Sequence, residues 1–129
     1  MKRFALVSMF ALVGCTDMDA AGVYNGTLTL NLPLGPVMLA SAGSLTPGQF
    51  ELHATNTTPA SCLLQQKAQH GTTISFNCAT APCYCGLDTT SLIVTAASGM
   101  VADAVLSLQF SGEVGQGDAF TGAFMGTHE

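Results

Sequence analysis

A chain of 129 residues supports one domain, because a single hydrophobic core is usually built from on the order of 100 residues. Only 9% of the residues are charged and 48% are hydrophobic, which excludes a charged disordered tail; the many Gly, Ser and Thr residues suit short strands and turns rather than a cytosolic helical protein. Beyond Lys2 and Arg3, Lys67 alone opposes Asp17, Asp19, Glu51, Asp88, Asp103, Glu113, Asp118 and Glu129, a balance of −7. Such a chain lacks the clustered cations that release counterions from phosphates, so no nucleic acid partner is expected, and an anionic membrane surface repels it.

In chain order, Met1-Lys2-Arg3 gives a positive start and Phe4 to Val13 an unbroken apolar or small run, followed by the small-residue cleavage site of an export signal. The run is too short to cross roughly 30 Å of hydrocarbon as a permanent helix. Leu12-Val13-Gly14-Cys15 resembles the lipobox of bacterial lipoproteins. That resemblance covers only the first 15 residues. It implies a signal peptide over 1–14, a diacylglycerol group on Cys15 and a membrane anchor. Thr16 stands where an inner-membrane retention Asp is found in some Gram-negative lipoproteins, so the resemblance favours the outer membrane. Residues 15–22 are then a lipidated tether holding the domain, 23–129, within about 25 Å of the bilayer at 3.3–3.6 Å per residue.

Alternation with period 2 organises the rest. It is clearest from Tyr24 to Leu32, where even positions are apolar or Gly, and it returns at Gln49 to Ala54 and Thr73 to Cys78. Leu106, Leu108 and Phe110 continue it, and Phe120, Gly122 and Phe124 form the last run. Leu92-Ile93-Val94 is apolar on both faces and is expected to be a more enclosed strand. Gln69-His70-Gly71, Ser98-Gly99 and Gly115-Gln116-Gly117-Asp118 read as hairpin turns. Between Pro33 and Pro47 the prolines and glycines oppose regular pairing, leaving Val37-Met38-Leu39 as a short strand or a covering loop. No internal repeat or helical period is present. The expected fold is all-β: an antiparallel meander of seven or eight strands, closed as a small barrel or folded as a sandwich, with Gly22, Gly26, Gly112, Gly122 and Gly126 available to bend it.

With Cys15 set aside, Cys62, Cys78, Cys83 and Cys85 form an even set that an exported chain would oxidise to two disulfides. The loop Ala79-Thr80-Ala81-Pro82 favours Cys78–Cys83 with Cys62–Cys85; a turn centred on His70 would instead oppose Cys62 to Cys78 and leave Cys83 with Cys85. A zinc site is disfavoured because no Cys-x-x-Cys pair occurs, and Cys83-Tyr84-Cys85 has one intervening residue where a thioredoxin-like motif has two. Pro82 and Tyr84, in the Cys-rich segment, are the candidate binding residues.

No nucleophile elbow, zinc-protease helix or phosphate loop is present, so no catalytic residue and no cofactor are assigned. Glu51 and His53 share a strand face but alternate with Phe50 and Leu52 as ordinary solvent-side residues; His70 falls in a turn and His128 at a frayed end. Asn25-Gly26-Thr27 and Asn56-Thr57-Thr58 match a glycosylation pattern and are read as strand and turn residues. Three functions are weighed: a non-enzymatic envelope lipoprotein binding a protein or surface, inhibitor-like in layout; a barrel carrying an apolar ligand among its Phe side chains; and a hydrolase whose site is assembled only in space.

Intact-mass analysis of membrane-extracted protein should show a mature chain starting at a diacylglyceryl-modified Cys15; any other start, or an unmodified Cys15, refutes the anchor.

Overall fold

The computed structural model describes residues 20–55, 59–115 and 117–129, so the leader, Cys15, Asn56-Thr57-Thr58 and Gln116 lie outside the described residues. The described chain forms ten strands: β1 (Gly22–Leu32), β2 (Gly35–Leu45), β3 (Gln49–Ala54), β4 (Ala60–Gln65), β5 (Lys67–His70), β6 (Thr73–Phe76), β7 (Cys83–Leu87), β8 (Thr90–Ala102), β9 (Val105–Val114) and β10 (Asp118–His128). All pairings are antiparallel between chain neighbours, apart from two features. First, β4 and β5 are one strand kinked at Gln66, and β6 and β7 are its interrupted partner. The long β8 spans that interruption, pairing with β7 through its first half and β6 through its second. Second, β1 pairs with β10 from Tyr24↔His128 to Asn31↔Thr121, which closes the meander into an eight-stranded barrel.

Alternation fills the barrel. Leu28 and Leu30 of β1, Phe50 and Leu52 of β3, Ile74 and Phe76 of β6, Leu106 and Leu108 of β9, and Phe120 and Phe124 of β10 all belong to one buried cluster. The outer face of β1 carries Asn25, Thr27, Thr29 and Asn31 instead. An apolar interior behind a polar wall reverses the arrangement of a lipid-embedded barrel. Two extra residues change the parity of the pattern. Thr95 sits at a bulge in β8, so Leu92 and Val94 face inward before it and Ala97 after it. Gln66, at a positive φ of 58°, does the same between β4 and β5.

Glycines admit the aromatic rings. A Cβ on Gly43 would collide with the ring of Phe50, one on Gly122 with Phe110, and one on Gly126 with Phe124. Rings from the neighbouring strand (Phe50, Phe110) or from two residues earlier on the same strand (Phe124) thus occupy the interior space these glycines leave, and Phe50 meets Phe124 with ring centroids 5.6 Å apart. Gly26 faces Gly126 across the closing seam, where a Cβ would strike the Met125 carbonyl.

Several expectations need correction. Ser98-Gly99 is no turn: both lie within β8, and the hairpin turns at Asp103-Ala104, each with positive φ. Gly99 is needed for close packing, since a Cβ there would meet the Ser107 carbonyl. The turn near His70 is centred on Gly71-Thr72, with His70 ending β5. The Pro33–Pro47 stretch holds a full strand, because Pro33-Leu34 supplies a turn and β2 pairs with β1 along its whole length. His128 is not frayed: its ring stacks edge-on against Tyr24 at 5.0 Å, and the Glu129 N–H donates to the Val23 carbonyl at 2.8 Å. The last tether residues belong to the domain, for Ala20 is only 4% exposed, its N–H donates to Gln69 Oε1 at 3.4 Å, and its carbonyl accepts the Tyr24 hydroxyl at 2.7 Å.

Phe124→Ala should lower stability by about 3–5 kcal/mol, because it empties space shared with Phe50 and Gly126. An unchanged denaturant midpoint would show that the interior is not packed as described.

Candidate functional site

Strand β7 begins Cys83-Tyr84-Cys85. Cys83 and Cys85 are both buried, and the two bridges are Cys62–Cys85 and Cys78–Cys83. The first joins directly facing residues of β4 and β7 inside the barrel. The β5–β6 register, Lys67↔Phe76 to His70↔Thr73, would carry Cys62 opposite Ala81 if it continued unbroken. It does not continue: Gln66 adds a residue to one strand, the 77–82 loop adds more to the other, and Cys62 comes to face Cys85. Within that loop the Asn77 side-chain oxygen accepts the N–H groups of Ala79 at 3.2 Å and Thr80 at 3.3 Å, a tight local turn that Cys78–Cys83 closes.

Two inward cysteines force the residue between them outward. Tyr84 is 49% exposed on the outer wall, within strand β7, while Pro82 lies in the loop before it. The cross-strand neighbours of Tyr84 are Leu63 on β4 and Ile93 on β8. Ile93 is 56% exposed, so Leu92-Ile93-Val94 is not an enclosed strand: only its two outer members point inward. The row continues to Glu51 on β3 and Glu113 on β9. One ladder row therefore reads Glu51, Leu63, Tyr84, Ile93, Glu113 across five adjacent strands. Ser61, Gly86 and Ser91 flank it on one side with small side chains. Pro82 lies on the other side, exposed, its carbonyl accepting the Gln65 side-chain amide. An apolar centre with a polar rim is the composition of a protein-binding patch.

Other chemistry is less developed. His53 and Ser61 are cross-strand neighbours and line a shallow depression with Asp88, but no hydrogen bond joins the three. A serine nucleophile needs its base within hydrogen-bond reach, so this is not an assembled triad. Among the described residues no group of three His, Cys, Asp or Glu is placed to hold a metal ion. The four cysteines are joined as disulfides and leave no thiolate ligands.

No protein-family model matches the chain, and neither the curated proteins nor the solved structures contain a match. The wall row therefore stands on its own geometry. Sequence reasoning singled out Tyr84 but missed Leu63 and Ile93. Their signal was present in Cys62-Leu63-Leu64 and Leu92-Ile93-Val94, since the middle of three consecutive apolar residues in a one-sided strand must face out.

Replacing Cys62 and Cys85 by Ala should cost about 3.4 kcal/mol and replacing Cys78 and Cys83 about 2.1 kcal/mol, because the first bridge closes the longer loop, with a sequence separation of 23 against 5. Urea titration of both double variants checks the order; equal losses, or four free thiols in unreduced peptide maps, would refute it.

Proposed function

We propose that this chain is a non-enzymatic lipoprotein of the cell envelope that binds a protein partner through the Tyr84 wall. The observation that carries the reading is the outward row of half-buried Leu63 with exposed Tyr84 and Ile93, held on strands bridged by an interior disulfide. Tyrosine joins a large contact area to few rotatable bonds, and here its backbone is pinned on both sides, so little freedom is lost when a partner covers it. Exposed apolar neighbours add desolvation energy only where something covers them.

Membrane anchoring rests on the leader and on Leu12-Val13-Gly14-Cys15, and two disulfides fit an oxidising compartment outside the cytoplasm. The geometry suits an anchor. Ala20 enters at the barrel end that carries the turns at 46–48, 71–72 and 103–104, so a lipid on Cys15, five residues earlier, would hold that end within about 18 Å of the bilayer. The wall remains free to face a neighbour in the envelope, with an outer-membrane position following from Thr16.

A ligand carrier needs interior space, and eight-stranded barrels sit at the limit where side chains alone fill the lumen. Phe50, Phe110 and Phe124 lie over interior glycines, which favours binding on the wall over binding inside.

A photo-crosslinking amino acid at position 84 or 93 should trap a discrete envelope protein, while the same group at Met125, more exposed and outside the row on β10, should not. Tyr84→Ala should weaken capture by about 2 kcal/mol, roughly thirtyfold, and change stability by no more than about 0.5 kcal/mol. Equal crosslinking from Met125, or capture indifferent to Tyr84→Ala, would overturn the assignment.

A further inference from the structure

We infer that the partner of the Tyr84 wall is a basic protein surface, presenting cationic side chains on both sides of an apolar centre. The inference rests on the wall being a binding surface and adds the chemistry of what it binds. The carboxylates of Glu51 and Glu113 flank Leu63, Tyr84 and Ile93 in one ladder row, which runs on past them to Ser44 and Ala119. Both are exposed. Adjacent strands lie about 4.8 Å apart, so the two acidic positions are separated by about 19 Å along the wall and by less across its curvature. Asp88, at the turn joining β7 and β8, adds a third negative charge beyond Gly86.

No cation offsets them. Lys67 is the only Lys or Arg among the described residues, and its pairing with Phe76 puts it on the face of β5 that continues the barrel interior, away from the wall. His53, next to Glu51 on the outer face of β3, is the nearest titratable nitrogen in the flanking row. A partner of the same negative sign would have to bring carboxylates against Glu51 and Glu113 while desolvating Tyr84. A basic one is drawn in by the same charges, which raises its association rate and makes the complex sensitive to salt. Of the other exposed apolar side chains, Val23 continues the same row beyond Ser44 and Glu51 and Leu34 sits in the β1–β2 turn, while Met100 and Met125 are separated in their row by Ser107, and Met38 sits beside Thr29 with no charge between it and Ala123.

The test uses a random peptide library displayed on phage and selected against the oxidised full chain in detergent. Enriched peptides should carry Lys or Arg on both sides of aromatic or aliphatic residues. Their binding should be lost with Tyr84→Ala, weaken about tenfold with Glu51→Gln combined with Glu113→Gln, and fall with added salt for the parent chain but much less for that double variant. Both variants lie on the wall surface, and far-ultraviolet circular dichroism with a denaturant midpoint confirms that each keeps the barrel. Peptides that need Tyr84 but are neutral or acidic, or that bind the double variant as well as the parent, would overturn the basic-partner inference and leave wall binding standing. Peptides indifferent to Tyr84→Ala, or no enrichment at all, would overturn both.

Discussion

Pairing of the first strand with the last is the constraint on which this structure depends. A meander left open would expose the edges of β1 and β10, each a row of unpaired backbone groups. Joined from Tyr24↔His128 to Asn31↔Thr121, they give every strand one inner and one outer face. The joint needs glycine at both facing positions, because a Cβ on Gly26 would strike the Met125 carbonyl across the seam and one on Gly126 would strike the Phe124 ring packed beside it. It also anchors both ends of the described chain: Ala20 is held by Tyr24 and Gln69, and Glu129 by Val23.

Once the sheet is closed, the two faces acquire separate duties. Inside, Phe rings occupy the volume that glycines on the same or an adjacent strand leave empty, so the small circumference is packed without bulky side chains at every position. Outside, most positions are Thr, Ser, Ala or Asn, and the Tyr84 row stands out against that background. The same disulfides connect both faces. Cys62–Cys85 ties β4 to β7 from within, and by fixing the inward direction of Cys85 it sets the outward direction of Tyr84. Stability and the outward direction of Tyr84 thus rest on one covalent element, which is how a small domain with a limited core can present a rigid surface.

The proposed anchor and the proposed binding wall make a consistent pair. A lipid on Cys15 would bring one barrel end near the bilayer, and the Tyr84 row lies on the side of the barrel and not at its opposite tip. A partner that shares the envelope would approach laterally. The negative charge of the domain opposes contact with anionic headgroups but favours a basic protein, so electrostatics separates the two surfaces it could meet.

The sequence by itself determined the all-β class, the inward residues of most strands, the Gly115–Asp118 turn and an even set of cysteines, because strand alternation and turn chemistry are local properties written in consecutive residues. The expected export signal and the Leu12-Val13-Gly14-Cys15 segment that resembles a lipobox lie outside the described residues. Only the tertiary structure decided barrel against sandwich, since closure depends on Tyr24 finding His128 at the far end of the chain. Only it placed Ser98-Gly99 inside a strand: glycine serves equally for a turn and for a close approach, and the Ser107 carbonyl that makes the difference is brought there by the fold. The wall row was beyond local reading for the same reason. Glu51, Leu63, Tyr84, Ile93 and Glu113 come from five strands, and their alignment is set by cross-strand register, which bulges at Gln66 and Thr95 shift in ways that alternation along one strand cannot record.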